Sequence, residues 1–331
     1  MSFQAEHIGL YFGQSQIRAV QNQHQQHLHL NLAWQWLLTL SGNTVAEIKP
    51  KTQPSRQIIK PQLDILGQAL EAGFRYRFLE DENAAEQAVS ALQMLGFIEQ
   101  ESLLETIQTT MASAHSFEMV REHYDNRQNW LNEFASFTDN VLQRSDDTDF
   151  IEQLWLMALT IVSAVVLEDE TRFETGTNLF RQMIDKHIHP EGYIKVIVSD
   201  EKDAVKAFKE MALACGALAL AAEAASQAGQ DLWSYEKREV GINTAATYLV
   251  YYYFYPDKWR WGVGLTDSDT QAIFREHGAW MDIVCHHFLP RGVELLLEQQ
   301  RPFFNAYMGG LTTLSHFKIE TKGSKRWKLF G

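Results

Sequence analysis

The chain has 331 residues, 45% of them hydrophobic, and a formal net charge of −13. That is ample apolar material for a large core. The acidic balance, with no Lys/Arg-rich run, argues against a nucleic-acid partner and requires local basic groups wherever an acidic polymer is to be held.

The first residues, MSFQAEHIGLYFG, carry neither a basic segment nor an apolar stretch of the secretory kind. No apolar run is expected to reach membrane-spanning length. The expectation is a soluble cytoplasmic protein without membrane contact, or a periplasmic or secreted one if a leader has been removed. His24, His27 and His29 follow in a Gln-rich segment without acidic or Cys companions, which reads as a solvated helix face more than a metal site. Gly42, Pro50, Pro54 and Pro61 mark residues 42–62 as a loop.

Helical patterns then run almost without interruption. LDILGQALEAGFRYRFL and NAAEQAVSALQML are punctuated by Asp81 and Asn83, and SLLETIQTTMASAHSFEMVREHY and NWLNEFASFTDNVLQ follow. From Asp149 to Trp233 come three strongly apolar helices, the second ended by Pro190 and Gly192 and the third by Gly229. VGINTAATYLVYYYFYPDKW, closed by Pro256, then DTQAIFREHGAWMDIVCHHFL and RGVELLLEQQ complete the series. Sustained strict alternation is missing throughout, so the fold class is all-α, read as one domain over 1–331. Cys215 and Cys285 fall in apolar helical patterns and are expected to be buried, reduced thiols.

Charged residues inside apolar helices must be paired or serve a site. Glu152, Lys206, Lys209 and Glu210 are those interruptions. Lys206 and Lys209 share a helix side, and Lys206–Glu210 has i,i+4 spacing that also suits a plain surface ion pair. His187 and His189 point apart at a helix end, and the adjacent His286 and His287 read as structural. The aromatic run of Tyr248, Tyr251, Tyr252, Tyr253, Phe254, Tyr255, Trp259 and Trp261 suits either a helix core or a sugar-stacking surface. Trp259, Arg260 and Trp261, beyond Pro256 in a loop, are the better candidates for an exposed site.

Several segments, taken together and in order, resemble the alginate-lyase-like polysaccharide lyases. They are IGLYFGQSQIRAVQNQ, EAGFRYRFLEDENAAEQAVSALQML, NWLNEFASFTDNV, GQDLWSYE and RPFFNAYMGGLTTL. The resemblance implies an (α/α) toroid of antiparallel helix pairs around a central cleft. It also implies β-elimination on an acidic, uronate-containing polysaccharide; no cofactor and no metal are expected. Such a site must neutralise the uronate carboxylate and supply a base and an acid. Aligned on Trp155 and the acidic turn Glu168-Asp169-Glu170, the family's Asn-Asn-His run falls on Phe150, Ile151 and Glu152; counted forward from Gly192 and back from Gly229, its Arg and Tyr fall near Asp203 and on Glu210. The chemistry would therefore rest on altered groups: Lys206 or Lys209 to neutralise the uronate and Glu152 or Glu210 as base, with Trp155, Trp259, Arg260 and Trp261 holding substrate. Two alternatives stay open: a non-catalytic toroid that binds a sugar or protein partner, and a glycoside hydrolase using the Glu152 and Glu210 carboxylates.

Overall fold

The computed structural model describes residues 6–40, 61–144, 148–199 and 203–318. The helices are α1 (Gln14–Gln23), α2 (Leu28–Leu40), α3 (Pro61–Leu79), α4 (Glu82–Leu95), α5 (Leu103–Val120), α6 (Arg127–Leu142), α7 (Phe150–Leu167), α8 (Glu170–His187), α9 (Lys195–Val198), α10 (Ala204–Gln227), α11 (Ile242–Phe254), α12 (Asp267–His277), α13 (Trp280–His287), α14 (Val293–Gln300) and α15 (Thr312–Ser315). Among the described residues, β-structure is limited to isolated bridges.

The side-chain contacts give the helix directions. Gly73 of α3 lies against Met119 of α5, and Arg77 reaches Glu122 just beyond α5. Arg121, following α5, donates to the Val166 carbonyl near the end of α7. Further round, Gly216 of α10 meets Trp280 of α13, and Glu223 meets His287. The members of each of these pairs therefore run parallel. The connecting helices return antiparallel: Gly176 of α8 packs on Ile161 of α7, and Arg172 reaches back to Ser163. An inner set of parallel helices wrapped by antiparallel partners is an (α/α) toroid. The inner helices α7 and α10 are apolar on nearly every face because they are covered on nearly every side.

Several sequence expectations shift at element ends. The stretch from Asp149 to Phe173 is two helices. Glu168 takes a left-handed conformation (φ 56°) after α7, and Asp169 caps α8 by accepting from the Arg172 N–H. The stretch 269–289 is also two helices, divided at Gly278, where a Cβ would sit 2.3 Å from the Phe274 carbonyl oxygen. Helix α3 begins at Pro61, inside the expected loop, while Gly42, Pro50 and Pro54 lie outside the described residues. The expectation that no run reaches membrane-spanning length is corrected. Phe150–Leu167 is long and apolar enough by length and composition, and in this fold it is a mostly buried core helix. Cys215 and Cys285 are both free and buried.

The end of the toroid at which α5, α7 and α10 finish is closed by buried charge. Glu223 (1% exposed) receives the Trp233 indole N–H at 2.9 Å and the Gln227 amide at 3.1 Å, and lies 2.6 Å from His287 Nε2. Burial works to raise its carboxyl pKa, but the hydrogen bonds and charges of His287 and His316 hold it well below the usual range.

Candidate functional site

The opposite end, where α7 and α10 begin, carries the residues singled out from the sequence. They have separate fates. Glu152 stands three residues after Asp149, the cap of α7. The Asp149 carboxylate accepts the Glu152 N–H at 2.8 Å, and the Glu152 carboxylate accepts the Asp149 N–H at 3.1 Å. This reciprocal capping box satisfies two otherwise orphaned backbone donors and commits Glu152 to starting the helix. Trp155, one turn later, is 0% exposed and packed in the core, so it is not on a sugar-binding surface.

On α10, Lys206 and Lys209 are exposed and Glu210 is half-buried. Lys206 Nζ lies 3.7 Å from Glu210 Oε1, the surface pair that the i,i+4 spacing allowed. Lys209 points toward α12, where its charge and, more strongly, burial lower His277 to about 4. Asp203 caps α10 by accepting from the Val205 and Lys206 N–H groups. Glu152 thus belongs to a helix cap, and Lys206 and Glu210 face each other.

The loop residues beyond Pro256 behave differently. Trp259 is 8% exposed and sits edge-on to Phe208 of α10 and to Tyr252 of α11, so it supports the site from beneath. Trp261 is half-buried and donates its indole N–H to the Tyr248 hydroxyl at 2.8 Å. Its ring lies 5.0 Å from that of Tyr193, which is 6.1 Å from Tyr248. Arg260 is exposed, reaches over the Tyr193 and Trp261 rings, and pairs with Glu191. An isolated bridge between Asp203 and Val263 ties this loop to the start of α10.

Three segments therefore build one surface: the 188–194 turn, α11 and the 259–264 loop. The turn fits because residue 192 is glycine. Its φ is +102°, and a Cβ there would lie 2.5 Å from both the Thr244 carbonyl oxygen and the Tyr248 Cβ. Close approach of this turn to α11 is what brings Tyr193 onto Trp261. His189 stacks on Tyr193 at 4.3 Å, and the Ile194 N–H points to Met211 Sδ of α10 at 3.4 Å. His187 lies 4.8 Å from Phe150 in the first turn of α7, and burial lowers its pKa.

The result is a surface of two half-buried rings, Tyr193 and Trp261, backed by the buried Tyr248, with one guanidinium at its edge. Aromatic faces carry partial negative charge and accept the C–H faces of pyranose rings. The planar guanidinium fork matches a carboxylate. Burial pushes the Tyr248 phenol up to about 12, so near neutral pH it is a hydroxyl and not a phenolate. Among the described residues there is no cluster of three metal-ligating side chains. His24 stacks on Trp34 and His27 packs against Phe317.

Arg260 and Trp261 are sequence candidates, whereas Glu191 and Tyr193 beside them are not and Gly192 reads only as a helix end. The Pro190–Tyr193 stretch looked only like a helix stop. The signal that could have marked it is a glycine in a turn directly before an aromatic residue, opposite a tyrosine-rich helix.

The sequence model described as alginate lyase matches residues 76–259, more than half of the chain. No curated protein matches. Among solved structures, alginate lyase A1-III from Sphingomonas species A1 is similar over 96% of this chain and 98% of its own, with a TM-score of 0.71 and 15% identity. A histidine-to-alanine variant of A1-III complexed with a tetrasaccharide covers 88% of this chain and 94% of its own, with a TM-score of 0.66 and 15% identity. An alginate lyase from Bacteroides ovatus covers 96% and 100%, with a TM-score of 0.63 and 13% identity. With a family match over most of its helical body and this shared fold, the chain belongs to the alginate lyase family.

Proposed function

We propose that this protein binds an acidic, uronate-containing oligosaccharide on the platform of Tyr193 and Trp261, which the buried Tyr248 holds in place, with Arg260 taking a sugar carboxylate. The observation that carries the reading is the convergence of two half-buried rings, Tyr193 and Trp261, and the exposed Arg260 guanidinium on the buried Tyr248, from three separate segments. The Arg260–Glu191 pair is half-exposed on both sides. Such a pair contributes little to stability, so exchange of Glu191 for a sugar carboxylate costs little. A relative solved with a tetrasaccharide supports an oligosaccharide as the ligand class. The reading makes no use of Glu152, Lys206 or Glu210 as acid or base, since the first is held by Asp149 and the other two face each other. For the same reason a two-carboxylate hydrolase is not proposed. The test is calorimetric titration with alginate oligosaccharides, with neutral oligosaccharides of equal length as the control. Saturable binding of the acidic series alone supports the reading. Equal or no binding of both series refutes it.

A second reading, β-elimination at the same end of the toroid, rests on His187. Its imidazole lies against the first turn of α7, where the resemblance puts the family's histidine-bearing run, and its lowered pKa leaves it neutral near pH 7. In this reading His187 takes the proton alpha to the carboxylate, Arg260 stabilises the resulting enolate-like charge, and as the glycosidic C–O bond breaks the leaving oxygen is protonated by water. Appearance of unsaturated, ultraviolet-absorbing products, lost in His187→Gln, would support it. Binding without such products leaves the first reading alone.

A further inference from the structure

The tyrosines of α11 do more than supply Tyr248. Positions 248, 251, 252 and 255 recur at i, i+3, i+4 and i+7, which is one face of a helix. The ring contacts follow that face: Tyr248 meets Tyr252 at 4.8 Å, Tyr252 meets Tyr251 at 4.9 Å, and Tyr251 meets Tyr255 at 5.1 Å. Tyr252 is buried over Trp259, whereas Tyr251 and Tyr255 are 44% and 47% exposed. Tyr253 faces the other way, into the core against Phe274. Beyond the end of α11, Lys258 places its ammonium over both exposed rings, 4.4 Å from the Tyr255 centroid and 5.8 Å from that of Tyr251.

Large aromatic side chains left exposed together, next to a cation and joined through the buried Tyr252 and Tyr248 to the Tyr193–Trp261 surface, mark an interaction surface. From Tyr248 to Tyr255 the face extends about 10 Å along the helix axis. It repeats the chemistry of the platform, flat π faces beside a positive charge. The charge selects an anionic occupant, and the chain of ring contacts leading to Tyr248 and Trp261 selects the same one.

We propose that Tyr251, Tyr255 and Lys258 form a second binding surface for the same acidic polysaccharide, along which the chain continues after leaving the groove. The proposal rests on the groove reading given above, and it assigns the ledge a role only for ligands long enough to reach it.

The test measures affinity of the full chain for an alginate disaccharide and an alginate octasaccharide. It compares the native protein with Tyr251→Ala/Tyr255→Ala, Tyr251→Phe/Tyr255→Phe and Lys258→Glu. The exposed positions should tolerate substitution, which an unchanged melting temperature verifies. The expected result is about a tenfold loss of octasaccharide affinity in the double alanine variant and a similar loss in Lys258→Glu. Disaccharide affinity should be unchanged, and the double phenylalanine variant should be near native. If the native protein binds both lengths and the alanine variant binds the octasaccharide as well as native, the ledge proposal is overturned while the groove reading stands. If the native protein binds neither, both fall. If the variants change self-association and leave sugar binding intact, the ledge is a protein contact and the proposal is overturned.

Discussion

Trp261 and Tyr248 are joined by an indole N–H to hydroxyl bond of 2.8 Å that ties the 259–264 loop to α11. One ring comes from a loop and the other from a nearly buried helix face, so the bond fixes the tilt of the exposed ring relative to the buried one. Tyr193 then closes the platform from the 188–194 turn.

Replacing Trp261 by Phe keeps an aromatic face and removes this bond. A hydrogen bond of this kind contributes about 1 kcal/mol, so affinity for acidic oligosaccharides should fall about fivefold with little change in melting temperature. Trp261→Ala should fall further. Calorimetry on both variants checks the order.

Gly192→Ala tests the turn. The substitution forces a side chain into a positive-φ position and against α11. The strain should cost about 1–3 kcal/mol, measured by denaturant unfolding, together with loss of sugar binding as Tyr193 moves away. Gly96, also at positive φ but with open space around it, serves as the control. Gly96→Ala should lose stability without loss of binding.

Glu152 separates capping from catalysis. As a partner in the α7 capping box, Glu152→Ala should cost about 1 kcal/mol of stability, with Glu152→Gln near native because an amide oxygen still accepts the Asp149 N–H. Neither change should alter oligosaccharide affinity. A large loss of binding or turnover in Glu152→Gln at unchanged stability would restore the residue to the site.

Much of the architecture was legible in the sequence because helical period and burial are local signals. The nearly all-apolar faces of α7 and α10 announce an inner ring, and the ends at Pro190 and Gly229 announce turns. The limits lay where one residue type serves two purposes. Glu152 reads equally as a buried base and as the third residue of a helix; only the Asp149 contact decides. Trp155 and Trp259 are apolar anchors whose depth depends on neighbours far along the chain. Tyr193 is invisible until the 188–194 turn is laid on α11. Where Asp149 to Phe173 ran on as one apolar pattern, the break came from the left-handed Glu168 and the capping Asp169, a local signal outweighed by hydrophobicity.

Acid should weaken the fold in a defined window. Burial lowers His115 from 6.5 to about 3 and His286 from 6.5 to about 4. For each, the unfolded chain binds a proton below about pH 6.5 that the folded chain refuses. The stability they contribute is complete above that pH and is lost progressively as pH falls through 6.5 toward 4. Glu223, with its carboxyl held low, adds a loss that begins as pH drops through the ordinary carboxylate range. Denaturant midpoints between pH 8 and pH 4 should therefore decline from about pH 6.5 downward, and His286→Phe should flatten the upper part of the decline.

The most direct test of the groove reading is a crystal structure with an alginate tetrasaccharide bound. The account predicts pyranose rings lying over Trp261 and Tyr193, with a sugar carboxylate on Arg260 in place of Glu191. A tetrasaccharide seated instead on Glu152 and Glu210, with the Tyr193–Trp261 surface bare, would contradict it.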